Sequence, residues 1–586
     1  MDIDSHFVEA VVQAIDGTWL HFERPSRVVQ TADASRVGYT ISGVEELTSS
    51  GATAVGFITY EAGAAFGLRV RTARELPLVW FAIFETPPVR LGRLSAWSHQ
   101  GSGSPSVSSE FARLGALTPT MTADDFREAF DRIKAHIADG DTYQANYTFR
   151  VEALLSGNVR QFFADLVRSQ GGLYSAFIQA GEFAICSASP ELFFRRVGRQ
   201  LTTRPMKGTA RRGRTLQEDS IQRDRLRASA KECAENVMIV DMMRNDIGRV
   251  ARVGTVSVPE LFTVERYPTV WQMTSQVTAE TDASLEQIVA ALHPSASVTG
   301  APKVRTMEIL ADLEPEPRGV YTGAIGYVSP GGDAQFNVAI RTAVVDLRRQ
   351  RLSFGVGSGI VWDSSAAAEY DECLLKAAVL SRVLPEFELL ETMRWSPAEG
   401  FYLLERHLRR LGESAEYFGF PSDQRVVADA LGRSVSGAAG SLRVRLRLTS
   451  TGVPEVECTP LQLRSAPVRV KLAVSPVSRD DVFLYHKTTN RAVYDRARLA
   501  DADDVVLWNE EGELTESTIA NLVVELDGVR VTPPVGCGLL AGTLRGELLD
   551  RGQIGERIVG VDDLRRATRL WLINSVQGWR PATVAC

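Results

Sequence analysis

The feature that most constrains this chain is a break near Leu384-Pro385-Glu386-Phe387. A helical pattern over Tyr370 to Val383 stops at a proline, which cannot continue a helix. Beyond it the periodicity starts afresh. A strand-like segment leads into a charged helix over Leu403 to Phe418, followed by the alternating run Leu442-Arg443-Val444-Arg445-Leu446-Arg447-Leu448. A chain of 586 residues that is 44% hydrophobic has material for several packed cores. The break predicts two domains, 1–383 and 386–586.

Before the break, Ala54-Val55-Gly56-Phe57-Ile58-Thr59-Tyr60 reads as a strand. Residues 91–118 are rich in Ser and Gly around Gly101-Ser102-Gly103-Ser104-Pro105-Ser106 and read as an exposed loop. From Met121 a helix is predicted, with Thr122 as its N-cap and Phe126, Phe130 and Ile133 on one face. Strands and helices then alternate to about Arg382, an α/β (α+β) composition. The net charge of −7 lacks the basic excess of a nucleic-acid-binding domain. No apolar run approaches the length of a membrane span, and the acidic start Met1-Asp2-Ile3-Asp4 is unlike a signal peptide. Six scattered cysteines without a CxxC pair argue against zinc or a disulfide framework and for the reducing cytoplasm.

Several segments could carry chemistry. Glu232 and Glu235 lie three apart, as do Glu369 and Glu372, with Lys376 four further on. On helices each pair shares a face. Two such faces could make an all-oxygen Mg²⁺ site, although an isolated pair is most often a solvated surface. Gly355-Val356-Gly357-Ser358-Gly359 reads as a glycine turn whose N–H groups could cradle an anion. Arg341 ends a strand and could grip a carboxylate. Lys207, between Pro205 and Gly208, would need its neutral amine to act as a nucleophile, whereas an ordinary lysine amine, with a pKa of about 10.4, is almost wholly protonated at neutrality.

Taken in order, these segments join Gly140-Asp141-Thr142-Tyr143-Gln144-Ala145-Asn146, Ser189-Pro190-Glu191, Pro205-Met206-Lys207-Gly208-Thr209, Thr299-Gly300-Ala301-Pro302-Lys303 and Tyr321-Thr322-Gly323. The series resembles the chorismate-utilising enzymes over about residues 1–382. The resemblance implies large antiparallel sheets with helices, and Mg²⁺ and chorismate in one pocket. Glu235 and Glu372 match metal ligands, with Glu232 and Glu369 behind them. Tyr321, Arg341, Lys376 and the backbone of Gly357, Ser358 and Gly359 match the substrate-binding groups. Glu191 matches a general acid for loss of the C4 hydroxyl. Water-adding relatives place a lysine in the motif at Gln144-Ala145, and none is present here. Lys207 stands where aminodeoxychorismate synthases carry lysine and anthranilate synthases commonly carry alanine. The resemblance thus implies attack of Lys207 on C2, loss of the C4 hydroxyl, and ammonia addition at C4. Gln272 departs from the pattern, standing where many relatives have histidine. No amidotransferase cysteine motif is present, so ammonia is expected from a separate glutamine amidotransferase subunit or from solution.

The second half carries Glu388-Leu389-Leu390-Glu391-Thr392, Arg406-His407-Leu408-Arg409-Arg410, Tyr485-His486-Lys487-Thr488, Thr515-Glu516-Ser517 with Asn521, and Leu540-Ala541-Gly542-Thr543. It resembles the fold-type IV pyridoxal-phosphate enzymes. Lys487 matches the Schiff-base lysine, Glu516 the partner of the pyridine nitrogen, Asn521 a ring support, and Arg410, Gly542 and Thr543 the phosphate anchors. A homodimer through this domain is compatible with the resemblance. These motifs leave lyase and transaminase open. The first half favours a lyase that eliminates pyruvate from aminodeoxychorismate to give 4-aminobenzoate. The alternatives are an anthranilate-synthase-like first half with a transaminase second half, or one half acting as an inert regulatory module.

Overall fold

The computed structural model describes residues 8–72, 76–92, 94–99, 112–381, 384–464 and 466–585. The N-terminal hexapeptide lies outside the described residues, as does the centre of the loop expected at 91–118, but the flanks of that stretch are not loop: Leu94–Ser98 is a helix that buries Trp97, and Ala112–Leu114 is a strand. The chain divides into two compact units, Met1–Arg211 with Arg223–Leu384, and Arg212–Gln222 with Pro385–Cys586.

In the first unit the described strands form an 11-stranded and a 10-stranded antiparallel sheet. Val8, Ala10, Val12, Ile178 and Ile185 of one sheet share a dry core with Phe57, Trp80, Ala82 and Phe84 of the other. The sheets therefore pack face to face. The outer face of the first sheet is covered by helices contributing Phe126, Phe162 and Cys373, and that of the second by helices contributing Ile41, Ile239 and Ile288. The result is helix, sheet, sheet, helix. The predicted helix after Met121 spans Ala123–Ala138, and Thr122 closes a reciprocal capping box with Asp125. The strand expected at 54–60 spans Thr53–Ile58.

One expectation is overturned. Gly355 to Gly359 do not form a turn. They lie in the continuous strand Arg351–Ile360, in register with Gln144–Gly157 so that Gly357 faces Thr148 and Gly359 faces Asn146. Glycine is needed in this extended backbone because neighbouring groups occupy the space a side chain would take. A Cβ on Gly355 would stand 2.1 Å from the Tyr321 ring.

In the second unit the strands Leu389–Ser396, Gly400–Phe401, Leu442–Leu448 and Pro454–Pro460 form a four-stranded sheet. Val444, Leu446 and Leu448 turn one face onto the helices Leu404–Phe418 and Gln424–Ser434, so the arginines between them take the other face. An eight-stranded mixed sheet is built on Val470, Val506, Leu522 and Leu572. The segment 212–222 is part of this unit. The Arg214 guanidinium donates to the Tyr485 hydroxyl at 3.1 Å, the Tyr417 hydroxyl donates to the Gly213 carbonyl at 2.8 Å, and the His486 Nε2 lies 3.2 Å from the Arg214 carbonyl. Among the described residues no helix is long and apolar enough to cross a membrane.

Candidate functional sites

In the first unit Lys207 sits on the strand Met206–Arg211, which pairs with Val270–Glu280. The register slips between Met206 and Thr209, leaving Lys207 and Gly208 opposite one residue. Gly208 takes a left-handed φ of 99°. This is a β-bulge, a device that re-aims a side chain. The amine comes 3.3 Å from a carboxylate oxygen of Glu235. A Cβ on Gly359 would lie 3.1 Å from that amine and 3.2 Å from the Gln144 amide nitrogen. Lys207, Glu235, Gln144 and the glycine strand thus meet at one point. Gln144 is buried and its Oε1 has no hydrogen-bond partner.

Glu191 is buried, and burial lifts its carboxyl to about 7, against the opposing pull of Ser297, the Met206 N–H and the Lys207 charge. A carboxyl that is still half protonated at neutrality can donate a proton. Glu232 and Glu235 lie on the helix Ala230–Gly248, and Glu369 and Glu372 on the helix Ala366–Ala377. Burial and the neighbouring Glu235 charge push the Glu232 carboxyl up. Burial also acts to raise Glu372, but Lys376, Lys207 and Arg341 outweigh it and hold that carboxyl below its ordinary value. Glu372 pairs with Lys376 at 2.6 Å. The four carboxylates do not close into a cage: among the described residues the only three acidic or imidazole groups within 4.8 Å of one another are Glu9, His21 and Glu23. Glu9 is already committed to Arg160 and Trp97. Even so, hard oxygen donors on two helices, with mutual repulsion raising one of them, suit Mg²⁺.

The substrate-side candidates gather on the free edge of the glycine strand. The Lys376 amine donates to the Gly357 carbonyl at 2.8 Å, and Arg341 donates to the Lys376 carbonyl at 3.1 Å. In an antiparallel strand the N–H and C=O of one residue point to the same edge. The Thr148 N–H, opposite Gly357, is instead bonded to Glu314, so the Gly357 N–H faces away from the pair. Ser358 is buried, and the buried Tyr321 ring lies under Arg150. Arg341 and Thr322 both hold left-handed backbone, with φ of 51° and 61°. That strain is concentrated beside Tyr321 and Lys376.

In the second unit Lys487 is half-buried, and burial, aided by the Arg410 charge, lowers its amine to about 8. The Glu516 carboxyl is buried and raised to about 7. It accepts from the Tyr494 hydroxyl at 2.8 Å, the Leu540 N–H at 3.1 Å and the Asn521 amide at 3.1 Å. Asn521 leans on Gly542, where a Cβ would stand 1.8 Å from its Oδ1. The helix Thr543–Asp550 starts directly after Gly542. Arg410 is gripped by both oxygens of Glu391, at 2.8 and 2.6 Å, and donates to the Ala541 carbonyl. His407 completes the cluster, 2.6 Å from Glu391 and 3.3 Å from the Thr543 hydroxyl. Arg410 and His407 hold the buried Glu391 carboxyl down at about 2 against the cost of burial. A depressed lysine, a raised carboxyl and a helix start within one unit suit an anionic cofactor with a ring nitrogen.

Sequence reasoning did not assign roles to Asn236, Glu391, His407 or Tyr494. A signal for Glu391 was present in His407 and Arg410, which share one helical face and call for an acid opposite. Tyr494 and Asn236 carried none.

The pattern of the family described as chorismate binding enzyme matches residues 14–382, and that described as amino-transferase class IV matches residues 388–585. The chain is 40% identical over 307 residues to aminodeoxychorismate synthase component 1 of Klebsiella aerogenes, covering 52% of this chain and 66% of that protein. It is 35% identical over 342 residues to anthranilate synthase component 1 of Methanothermobacter marburgensis, covering 56% and 73%. Thus the chain spans just under two thirds of the length of the first of these relatives. The structure of anthranilate synthase component I from Streptococcus pneumoniae TIGR4 aligns with a TM-score of 0.50 at 26% identity, over 64% of this chain and 90% of that one. The chain belongs to the family of chorismate binding enzymes.

Proposed function

We propose that the chain makes 4-aminobenzoate in two steps, amination of chorismate to 4-amino-4-deoxychorismate in the first unit and elimination of pyruvate in the second. The observation that carries the reading is the bulge placing the Lys207 amine against Glu235, Gln144 and Gly359. In the first step the Lys207 amine adds at C2 of chorismate and the ring double bonds shift as the C4 hydroxyl leaves. Glu191 supplies the proton that turns that hydroxyl into water. Ammonia then adds at C4, the double bonds shift back, and the Lys207 amine is released. Glu235 and Glu372, backed by Glu232 and Glu369, would hold a Mg²⁺ that neutralises substrate carboxylate charge. Arg341, Lys376, Tyr321 and the Gly357 to Gly359 edge would orient the carboxylates. A relative designated component 1 supports a separate amidotransferase as the source of ammonia.

In the second unit Lys487 would anchor the cofactor and later take the substrate's α-proton at its Nζ, an amine already depressed toward neutrality. Pyridoxal phosphate, when bound, supplies an electron sink. Glu516 would face its ring nitrogen, and Arg410 with the Gly542-Thr543 helix start would face its phosphate. Loss of pyruvate leaves an aromatic ring, which drives the step.

The test is one assay of chorismate, an ammonium salt, Mg²⁺ and pyridoxal phosphate, read for 4-aminobenzoate. Lys207→Ala is expected to stop chorismate consumption while retaining pyruvate release from supplied aminodeoxychorismate. Lys487→Ala is expected to accumulate aminodeoxychorismate and to lose the visible absorbance of the lysine-bound cofactor. No 4-aminobenzoate from the wild type, or full activity in both variants, sinks the proposal. Strict dependence of the second step on a 2-oxo acid would instead make the second unit a transaminase.

A further inference from the structure

The bulge at Lys207 and Gly208 poses a problem of its own. A bulge leaves backbone groups out of the ladder, and unpaired carbonyls in a half-buried site are costly. Two amide side chains take them up. Asn236, next to Glu235 on its helix, donates to the Lys207 carbonyl at 3.0 Å. Gln272, directly across the ladder from Thr209, donates from Nε2 to the Gly208 carbonyl at 2.8 Å. The other end of the Gln272 amide accepts from the Thr209 hydroxyl at 2.9 Å. Asn236 is itself fixed, since its Oδ1 accepts from Ser275 at 2.6 Å.

Gln272 therefore spans the turn on which Lys207 is mounted. Both polar ends of the amide are thus engaged with the turn itself. An amide also does not titrate near neutrality, so the grip does not depend on pH. Its acceptor and donor are both needed, because Thr209 offers a hydroxyl and Gly208 a carbonyl.

We propose that Gln272 is a positioning residue for Lys207, holding the bulge in the shape that aims the amine at Glu235 and the glycine strand. The inference rests on the reading of Lys207 as the attacking amine. Here the side chain works through the backbone of the nucleophile's own turn instead of as an acid or base.

The experiment uses the full chain with Gln272→Ala and Gln272→Glu. The glutamate keeps the shape and the acceptor but, ionised, lacks the donor to Gly208. Misplacing a nucleophile by about 1 Å can cost on the order of 100-fold. Both variants are therefore expected to lower kcat for ammonia-dependent amination by about 10- to 100-fold, with KM for chorismate changed less than about twofold. Pyruvate release by the second unit should be unchanged. The second readout needs no substrate. Limited acetylation with acetic anhydride, followed by peptide mass spectrometry, gives the rate at which each lysine amine reacts. Lys207 is expected to change its rate several-fold in both variants while Lys303 and Lys471 keep theirs. Wild-type activity in either variant, a loss carried by KM alone, or an unaltered Lys207 rate overturns the proposal. If the wild type fails to aminate chorismate, the reaction assignment falls, and the labelling rates still decide for or against Gln272.

Discussion

At the scale of single residues, Glu191 shows how a candidate acid trades stability for chemistry. Its carboxyl is lifted from an ordinary 4.5 to about 7. A raised folded-state value means the native protein binds the extra proton between pH 4.5 and 7. The contribution is therefore present at low pH and is lost as pH rises through 7. The loss above that range amounts to roughly 3 kcal/mol. Glu191→Gln is expected to raise the melting temperature at pH 8 relative to wild type, to leave it nearly unchanged at pH 5, and to abolish amination. Thermal melts at the two pH values decide it. Lys207, Lys487 and the acidic pairs were legible as residues because their types, order and spacing survive in the sequence. What Gln272 and Asn236 do was not legible. Their partners are backbone carbonyls freed by a one-residue slip in pairing, and no spacing in a sequence records a slip. For the same reason Gln144 reads in sequence only as a missing lysine, whereas in the structure it is a buried amide beside the amine.

At the scale of elements, the strand Arg351–Ile360 shows what its three glycines make room for. Gly355 yields to the Tyr321 ring at 2.1 Å and Arg150 at 2.5 Å, whereas Gly359 faces the movable ends of Lys207 and Gln144 at 3.1 and 3.2 Å. Gly355→Ala must displace a buried ring and should destabilise the first unit by about 1–3 kcal/mol or more. Gly359→Ala should fold with little loss of stability yet lose amination, because the amine must move. Denaturant unfolding and initial rates measured side by side separate the two. In the second unit, Gly542→Ala would drive Asn521 off Glu516 and is expected to weaken pyridoxal phosphate binding, read by absorbance titration. The glycine run was misread from sequence as a turn because glycine most often marks one. The period-two signal of a strand is erased when alternate residues have no side chain. By contrast Leu442–Leu448 was plain in the sequence, since leucine and valine alternate there with arginine. The helix after Met121 was equally plain through its cap and its aromatic face.

At the scale of the molecule, each unit holds its own lysine, its own raised carboxyl and its own anchoring groups. The two single-lysine variants, Lys207→Ala and Lys487→Ala, are accordingly expected to complement one another when mixed. Aminodeoxychorismate released by one would be consumed by the other, and 4-aminobenzoate would appear after a lag that shortens as protein concentration rises. Failure to complement, with each half active on its own supplied substrate, would mean that the intermediate does not leave the chain that made it. The sequence announced a boundary at Pro385. It gave no sign that residues 212–222 belong with the domain beyond that boundary, because their partners Tyr417, Tyr485 and His486 are some 200 to 270 positions away.

That segment bears on how such a chain can be taken apart. A gene cut once at Pro385 yields a second product lacking the guanidinium that pairs with Tyr485 and the carbonyls that meet Tyr417 and His486, next door to Lys487. The two halves are thus not interchangeable cassettes. Any recombination that swapped the second for a free-standing homologue would have to exchange eleven residues embedded in the first as well, five positions past its own Lys207.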